Sequence, residues 1–395
     1  MDTQKILDLV EKYYPLGAEL RHTIHRYPEP AFEEVKTAKL IADTLTSRGI
    51  PVQTGVAKTG VIGLISGGKP GKTVLLRADM DAVEVEEKAD VPYKSERKGL
   101  MHACGHDGHT AGLLMAALVL NDLKDRLAGN VKLMFQPGEE TTGGAEPMIQ
   151  AGVLENPNVD AAFGCHLWGS VKAGEIQTKA GSLMASPDEF SLRVIGKGGH
   201  AALPHLTADP VVMSAQIICA LQELVSRRNN PLRPLVISAC SIHGGAVHNV
   251  IPDFVDIIGT IRTLDRETRN LAPQWMEETA AGIARVWGGN CRFQTIKRYP
   301  PLINDENAAA LVIEAAKKIA GHDRVKQAEP NMGGEDFAYL AEKVPAAFFF
   351  VGIAENEPVV HHNAYFAWKD EILKTSSAVL CRTAADYLNQ GFLSS

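Results

Sequence analysis

Thr-Val-Leu-Leu-Arg-Ala-Asp-Met-Asp-Ala-Val, residues 73–83, is a mostly apolar run that closes on two carboxylates. A strand with one wet face alternates apolar and polar side chains, whereas a strand covered on both faces has no such need. TVLLRAD at 73–79 is therefore predicted to be a buried strand of a mostly parallel sheet. The neighbouring runs repeat the texture: VIGLIS at 61–66, VKLMFQ at 131–136 and AAFGCHL at 161–167, with the helix-like AGLLMAALVLNDL at 111–123 between them. Strands alternating with helices predict an α/β fold with a mostly parallel sheet. The chemically loaded residues fall at or near strand ends: Asp79 and Asp81, Glu139 and Glu140, and His166. Ligands of open α/β sheets collect at the carboxyl ends of the strands, so this placement predicts a site.

The pattern changes near Ser186. EFSLRVI at 189–195 alternates, and a helix follows with Asp209 as N-cap and Pro210 in its first position. LVISACSI at 235–242 and DFVDIIGTI at 253–261 read as strands, a second helix of about two dozen residues begins at Arg266, and CRFQTIKRY at 291–299 ends before Pro300-Pro301. The order β-α-β-β-α-β is that of a ferredoxin-like α+β unit, and about 110 residues suits a domain. Residues 187–297 are thus expected to be an inserted domain. Residues 1–186 and 298–395 would form one discontinuous catalytic domain, the latter part containing AAFFFVGI at 346–353, a final helix, and His361-His362.

With 395 residues the chain is long enough for two domains, and 45% hydrophobic with 22% charged residues is ordinary for a soluble protein. The longest apolar run, Ala111–Leu120, is too short to span a bilayer. The first residues, MDTQKILDLVEKYY, lack the basic start, apolar centre and cleavage site of a secretory signal, so the protein is expected in the cytoplasm. Six cysteines at 104, 165, 219, 240, 291 and 381 show no paired spacing and are expected to be reduced. A net charge of −7 without a basic run gives no footprint for nucleic acid.

Met101-His102-Ala103-Cys104-Gly105-His106-Asp107-Gly108-His109-Thr110 concentrates a thiol, three imidazoles and a carboxylate. Cys-x-His can share or flank a divalent ion where the backbone turns, though such a pair alone reads equally as a polar loop entering a helix. Amide hydrolysis near neutral pH needs an activated water, a Lewis acid on the carbonyl and a carboxylate to move the proton. Cys104 and His106 are ligand candidates, FQPGEE at 135–140 supplies adjacent carboxylates, and His166 with His361 or His362 adds imidazoles. Taken singly, Glu139-Glu140 also fits a solvated turn, and His166 a satisfied core histidine.

Together these pieces resemble the aminoacylase/carboxypeptidase family of dinuclear metallohydrolases, in the branch of N-acyl-amino-acid amidohydrolases, hippurate hydrolases and auxin-conjugate hydrolases. The motifs run in order: LRHTIHRYPEPAFEE at 20–34, RADMDAV at 77–83, MHACGHDGHTA at 101–111, FQPGEE at 135–140, HLWG at 166–169, GKGGHAALPHLTADPV at 196–211, HNVIPD at 248–253 and MGGEDFAY at 332–339. The resemblance implies that Cys104, His106, Glu140, His166 and His362 hold two divalent ions, Zn, Mn, Co or Ni, with Cys104 bridging. It makes Glu139 the general base and then acid, and Asp81 a carboxylate that orients a ligand. Other branches place an aspartate at the bridge, so the thiolate implies a softer site. The inserted domain resembles a lid through which a homodimer forms, its His200 reaching a partner's site to hold the oxyanion. Asn249 and Arg262 resemble substrate-binding positions, with Arg262 the candidate for a substrate carboxylate. Gly333, Gly334, Glu335 and Asp336 resemble a loop lining the substrate pocket.

Two departures stand out. His361-His362-Asn363-Ala364 replaces the usual His-Asn-Pro or His-Ser-Pro, and alignment through Asn363, Phe366, Asp370 and Glu371 favours His362 while leaving His361 open; Gly334 stands where many relatives carry serine. The activity implied is cleavage of N-acetyl- or N-benzoyl-L-amino acids to a carboxylate and a free amino acid, with a dipeptidase, carboxypeptidase or N-acetyl-diaminopimelate deacetylase as the alternative on the same residues. Two other readings compete: a thiol amidase in which Cys104 attacks with His106 as base, and a silent binder of amino-acid derivatives. His102, His109 and Asp107 are assigned supporting or structural roles.

Overall fold

The computed structural model describes residues 1–392. Its described residues gather into two compact units, one of 1–183, 303–329 and 336–392 and one of 184–302 and 330–335.

In the larger unit, helices α1 (Thr3–Arg26) and α2 (Val35–Thr46) precede strands β1 (Val52–Val56), β2 (Gly60–Ser66) and β3 (Lys69–Asp79). Helix α3 (His106–Asp122), β4 (Ala128–Gln136), β5 (Ala161–Lys172) and β6 (Ile176–Thr178) follow. The predicted runs at 61–66, 73–79, 131–136 and 161–167 all lie in these strands. Residues 106–120 of α3 are buried throughout, as expected of a helix apolar on every side.

The smaller unit holds β7 (Ser186–Ile195), α4 (Pro210–Glu223), β8 (Leu235–His243), β9 (Phe254–Thr263), α5 (Arg266–Val286) and β10 (Asn290–Ile296). Its antiparallel sheet has the order β8-β9-β7-β10, the ferredoxin-like arrangement that the element order predicted. Asp209 caps α4 as read, its carboxylate accepting from the amide of Val211 at 2.8 Å. The loop 330–335 joins this unit through the amide of Ala185, which donates to Gly333 O at 2.8 Å. The strand read at 291–299 ends at Ile296, because Arg298 turns its amide to the Asp188 carboxylate at 2.8 Å.

The larger unit resumes with α6 (Glu306–Ala320), β11 (Val325–Gln327), β12 (Ala346–Ala354) and α7 (Ile372–Gln390). Its eight-stranded sheet has the order β1-β2-β4-β3-β5-β12-β6-β11, and the central four, β4-β3-β5-β12, are parallel. Their carboxyl ends therefore emerge on one side, which is what brings residues 79–81, 137–140 and the segment after β12 together. All six cysteines are free thiols, and among the described residues no helix is long and apolar enough to cross a membrane.

A buried charge cluster anchors the first turn of α3. Asp107 accepts from Arg21 Nε at 3.1 Å and pairs with His25 Nδ1 at 2.9 Å, while the Arg21 guanidinium lies 3.5 Å from the centre of the Trp368 ring and also reaches Asp370. Burial lowers the pKa of His25, but Asp107 and Glu87 outweigh it and lift it to about 9. Asp107→Ala would leave two buried cations without this partner. It is expected to cost about 3–5 kcal/mol of unfolding free energy in a urea titration; a loss below about 1 kcal/mol would show that the cluster is no more than a surface-like ion pair.

Candidate metal centre

Each predicted ligand is placed by an element that the sequence specifies locally. Gly105 takes φ +91° at the N-cap of α3, a conformation open to glycine, and this turn sets Cys104 and His106 at the helix entrance. After β4, Gly138 at φ +65° turns the chain so that the amides of Glu139 and Glu140 both point at Asp81. The two Asp81 oxygens accept from them at 3.0 and 2.9 Å. His166 lies on β5, and His362 follows β12 at φ +57°, an uncommon backbone state for a residue with a side chain.

The five residues fall into two triads that share the thiol. Potential ligand atoms of Cys104, His106 and His166 lie within 4.8 Å of one another, as do those of Cys104, Glu140 and His362. A third triad of the same span, His106, Glu139 and Glu140, brings the predicted base beside both.

Ring hydrogen bonds decide which imidazole nitrogens are available. His106 Nδ1 faces the Asp81 carbonyl at 2.9 Å, so it carries the proton, and the buried Nε2 has no hydrogen-bond partner. His166 Nδ1 donates to Leu167 O at 2.6 Å, leaving its Nε2 3.4 Å from Cys104 Sγ. His362 Nε2 is 3.1 Å from Glu140 Oε1. His361 is different: its Nε2 accepts from the Gly169 amide at 2.9 Å, which puts the ring proton on the Nδ1 that faces Cys104 at 3.9 Å. Its bare nitrogen is already in use.

Electrostatics fit a cation. Burial lowers the pKa of His106, but Asp79, then Asp81 and Glu140, outweigh it and lift it to about 10. Burial raises the Cys104 thiol well above its ordinary range, and Glu140 and Glu139 raise it further. A nucleophilic thiolate needs an electropositive setting, the reverse of this one. Burial keeps His166 neutral by holding its pKa well below the usual value. The buried Nε2 of His106, which makes no hydrogen bond, the bare Nε2 of His166 and the surrounding carboxylates are donors that suit divalent metal.

The remaining predicted positions lie in the smaller unit. His200 sits in a two-residue strand pairing 199–200 with 250–251, and the amide of Ala201 donates to Asn249 O at 3.1 Å, so these two exposed residues are neighbours. Arg262 donates from Nε to Thr260 Oγ1 at 3.1 Å, and among the described residues no carboxylate pairs with it. A Cβ on Gly334 would meet Pro187 Cγ at 2.7 Å, so serine there would require Pro187 to move.

One expectation is corrected. Asp336, expected in a loop lining the substrate pocket, has no exposed surface: it accepts from Arg77 Nη2 at 2.7 Å, Gln136 Nε2 at 2.7 Å and the amides of Gly144 and Ala145 at 2.8 and 2.9 Å, and one of its oxygens lies within 4.8 Å of one from Glu139. Sequence reading also missed Glu34, wholly buried and accepting from the Gly138 amide at 2.9 Å, which supports the turn before Glu139. Its only signal was its place at the end of the LRHTIHRYPEPAFEE motif.

A parallel sheet with a thiol, imidazoles and carboxylates gathered beside it, and a second, ferredoxin-like unit, fit a metallohydrolase. The chain matches peptidase family M20/M25/M40 over residues 75–386, and it belongs to that family. It is 42% identical over 305 residues to the N-acyl-L-amino acid amidohydrolase of Geobacillus stearothermophilus, covering 77% of this chain and 82% of that one. It is 40% identical over 379 residues to thermostable carboxypeptidase 1 of Saccharolobus solfataricus, covering 94% and 95% respectively. A solved dinuclear metal binding peptidase of the M20 family from Bacillus subtilis superposes with a TM-score of 0.86 at 34% identity, over 96% of this chain and 99% of that one. The protein is a hydrolase of this family.

Proposed function

We propose that the protein hydrolyses the amide bond of N-acyl-L-amino acids, of N-acetyl or N-benzoyl type, releasing a carboxylate and a free amino acid. The observation that carries this reading is the pair of triads sharing Cys104, with Glu139 beside them. Cys104, His106, Glu140, His166 and His362 would hold two divalent ions. The thiolate and imidazoles suit Zn best, with Co, Ni or Mn as the other candidates. Bound there, the ions supply Lewis acidity toward the acyl carbonyl and lower the pKa of water.

Glu139 takes the proton of the attacking water and passes it to the leaving nitrogen. Asp81 holds the backbone of both glutamates and the Nδ1 side of His106, so base and ligands share one support. Arg262, lacking a carboxylate partner of its own, would receive the substrate carboxylate together with Asn249, and Gly334 would leave room beside it. His200 would stabilise the oxyanion in a second copy, with residues 187–297 forming the homodimer contact. Substrates of this class are small molecules.

The test is hydrolysis of N-acetyl- and N-benzoyl-amino acids before and after metal removal. Activity is expected to vanish with chelator and to return with added Zn, Mn, Co or Ni, followed as free amino acid released. Full activity in metal-free protein would sink the reading. A carboxypeptidase activity is the second reading, favoured by the Saccharolobus relative's name, and a dipeptide series in the same assay separates it.

A further inference from the structure

We propose that Asp79 and His109 form a positioning relay that fixes which nitrogen of His166 faces the metal centre. The inference rests on the reading of His166 as a metal ligand. Its basis is a run of buried hydrogen bonds in which each donor determines the next. The amide of Leu167 donates to His109 Nε2 at 2.9 Å. An amide can only donate, so that nitrogen is bare and the ring proton of His109 sits on Nδ1. Nδ1 in turn lies 2.6 Å from Asp79 Oδ1, an acceptor that demands this tautomer. Asp79 cannot turn away, because Arg77 Nη1 donates to its other oxygen at 2.8 Å and the side chain is fully buried.

The far end of the relay is the carbonyl of the same residue, in the next peptide unit. Leu167 O accepts the Nδ1 proton of His166 at 2.6 Å, which leaves His166 Nε2 bare and 3.4 Å from Cys104 Sγ. Residue 167 is thus gripped by His109 at its amide and itself grips His166 at its carbonyl. Neither Asp79 nor His109 needs to touch an ion for the site to depend on them. His109 has both nitrogens engaged, which excludes it as a ligand in this arrangement.

Asp79→Asn tests this. An asparagine amide can donate to His109 Nδ1, which favours the opposite tautomer and sets an Nε2 proton against the Leu167 amide. Partners behind metal-binding histidines are worth about 10- to 100-fold in affinity, and a weakening of that size is expected for one of two Zn ions. Zn is titrated into metal-free protein against a chromogenic chelator. In His109→Gln the side-chain carbonyl accepts from Leu167 without any tautomer to choose, so adding Asp79→Asn to it should cause no further loss. A direct Asp79 ligand, 3.6 Å from His106 Nε2, would instead weaken binding in both backgrounds, and that result overturns the relay. Wild type taking up fewer than two Zn overturns the dinuclear reading itself; wild type taking two while Asp79→Asn binds equally tightly overturns the relay alone. Should Asp79→Asn not fold, the wild-type ring nitrogens are read by ¹⁵N NMR, with the His109 signals identified by their loss in His109→Gln. Protonation at Nδ1 is expected, and protonation at Nε2 refutes the proposal.

Discussion

Glu139→Gln is expected to lower kcat by about 10²- to 10⁴-fold, the range a general base and acid contributes, while both metal ions stay bound. Glutamine has nearly the same shape and can still accept hydrogen bonds, but it cannot take a proton from water at neutral pH. The backbone of residue 139 is held by Asp81 through its amide, which the substitution leaves in place. Glu139 lies within 4.8 Å of His106 and Glu140, so proximity alone permits a ligand role as well. The two roles differ in what is lost. Turnover falling with full metal content marks a proton carrier, metal falling together with turnover marks a ligand, and an unchanged rate refutes the proposed mechanism. The measurement is therefore kcat beside metal content on the same preparation.

Much of this site is legible in the sequence because its parts are local. Continuous apolar runs read as two-faced strands, the carboxylates and histidines near their ends follow from the runs, and Asp209-Pro210 announces its helix by capping chemistry. What was not legible depends on partners far along the chain. His361 and His362 are adjacent and chemically identical, and only the Gly169 amide, 192 residues away, occupies the nitrogen of one of them. Asp336 stands in a motif that resembles a loop lining the substrate pocket, yet Arg77 and Gln136 hold it in the interior from 259 and 200 residues away. Arg21 and Asp107 are separated by 86 residues, so neither helix alone reveals that they neutralise one another. Tautomers belong to the same class of information: the three imidazoles of residues 101–110 look equivalent until their hydrogen-bond partners are known.

Cys104 offers the second large effect, and the direction of change separates two chemistries. Cys104→Asp is expected to retain two ions and part of the activity, with preference moving from Zn toward harder ions such as Mn, because a carboxylate can bridge as the thiolate does. Cys104→Ala removes the shared donor of both triads and should lose more than the roughly 100-fold in metal affinity that removal of an outer partner reaches. A nucleophilic cysteine predicts otherwise: either substitution would abolish turnover, and chelator would have little effect on wild type. The surroundings oppose that alternative. Burial and the carboxylates of Glu140 and Glu139 hold the thiol well above its usual range, and the Nε2 that points at it belongs to His166. His166, kept neutral by burial, lacks the positive charge that would stabilise a thiolate. A divalent cation supplies that charge, so the same features that disable Cys104 as a nucleophile suit it to hold metal. Initial rates and metal content of Cys104→Asp, reconstituted with Zn and with Mn separately, measure this: bound ions with no recovered turnover under either metal would count against a bridging role.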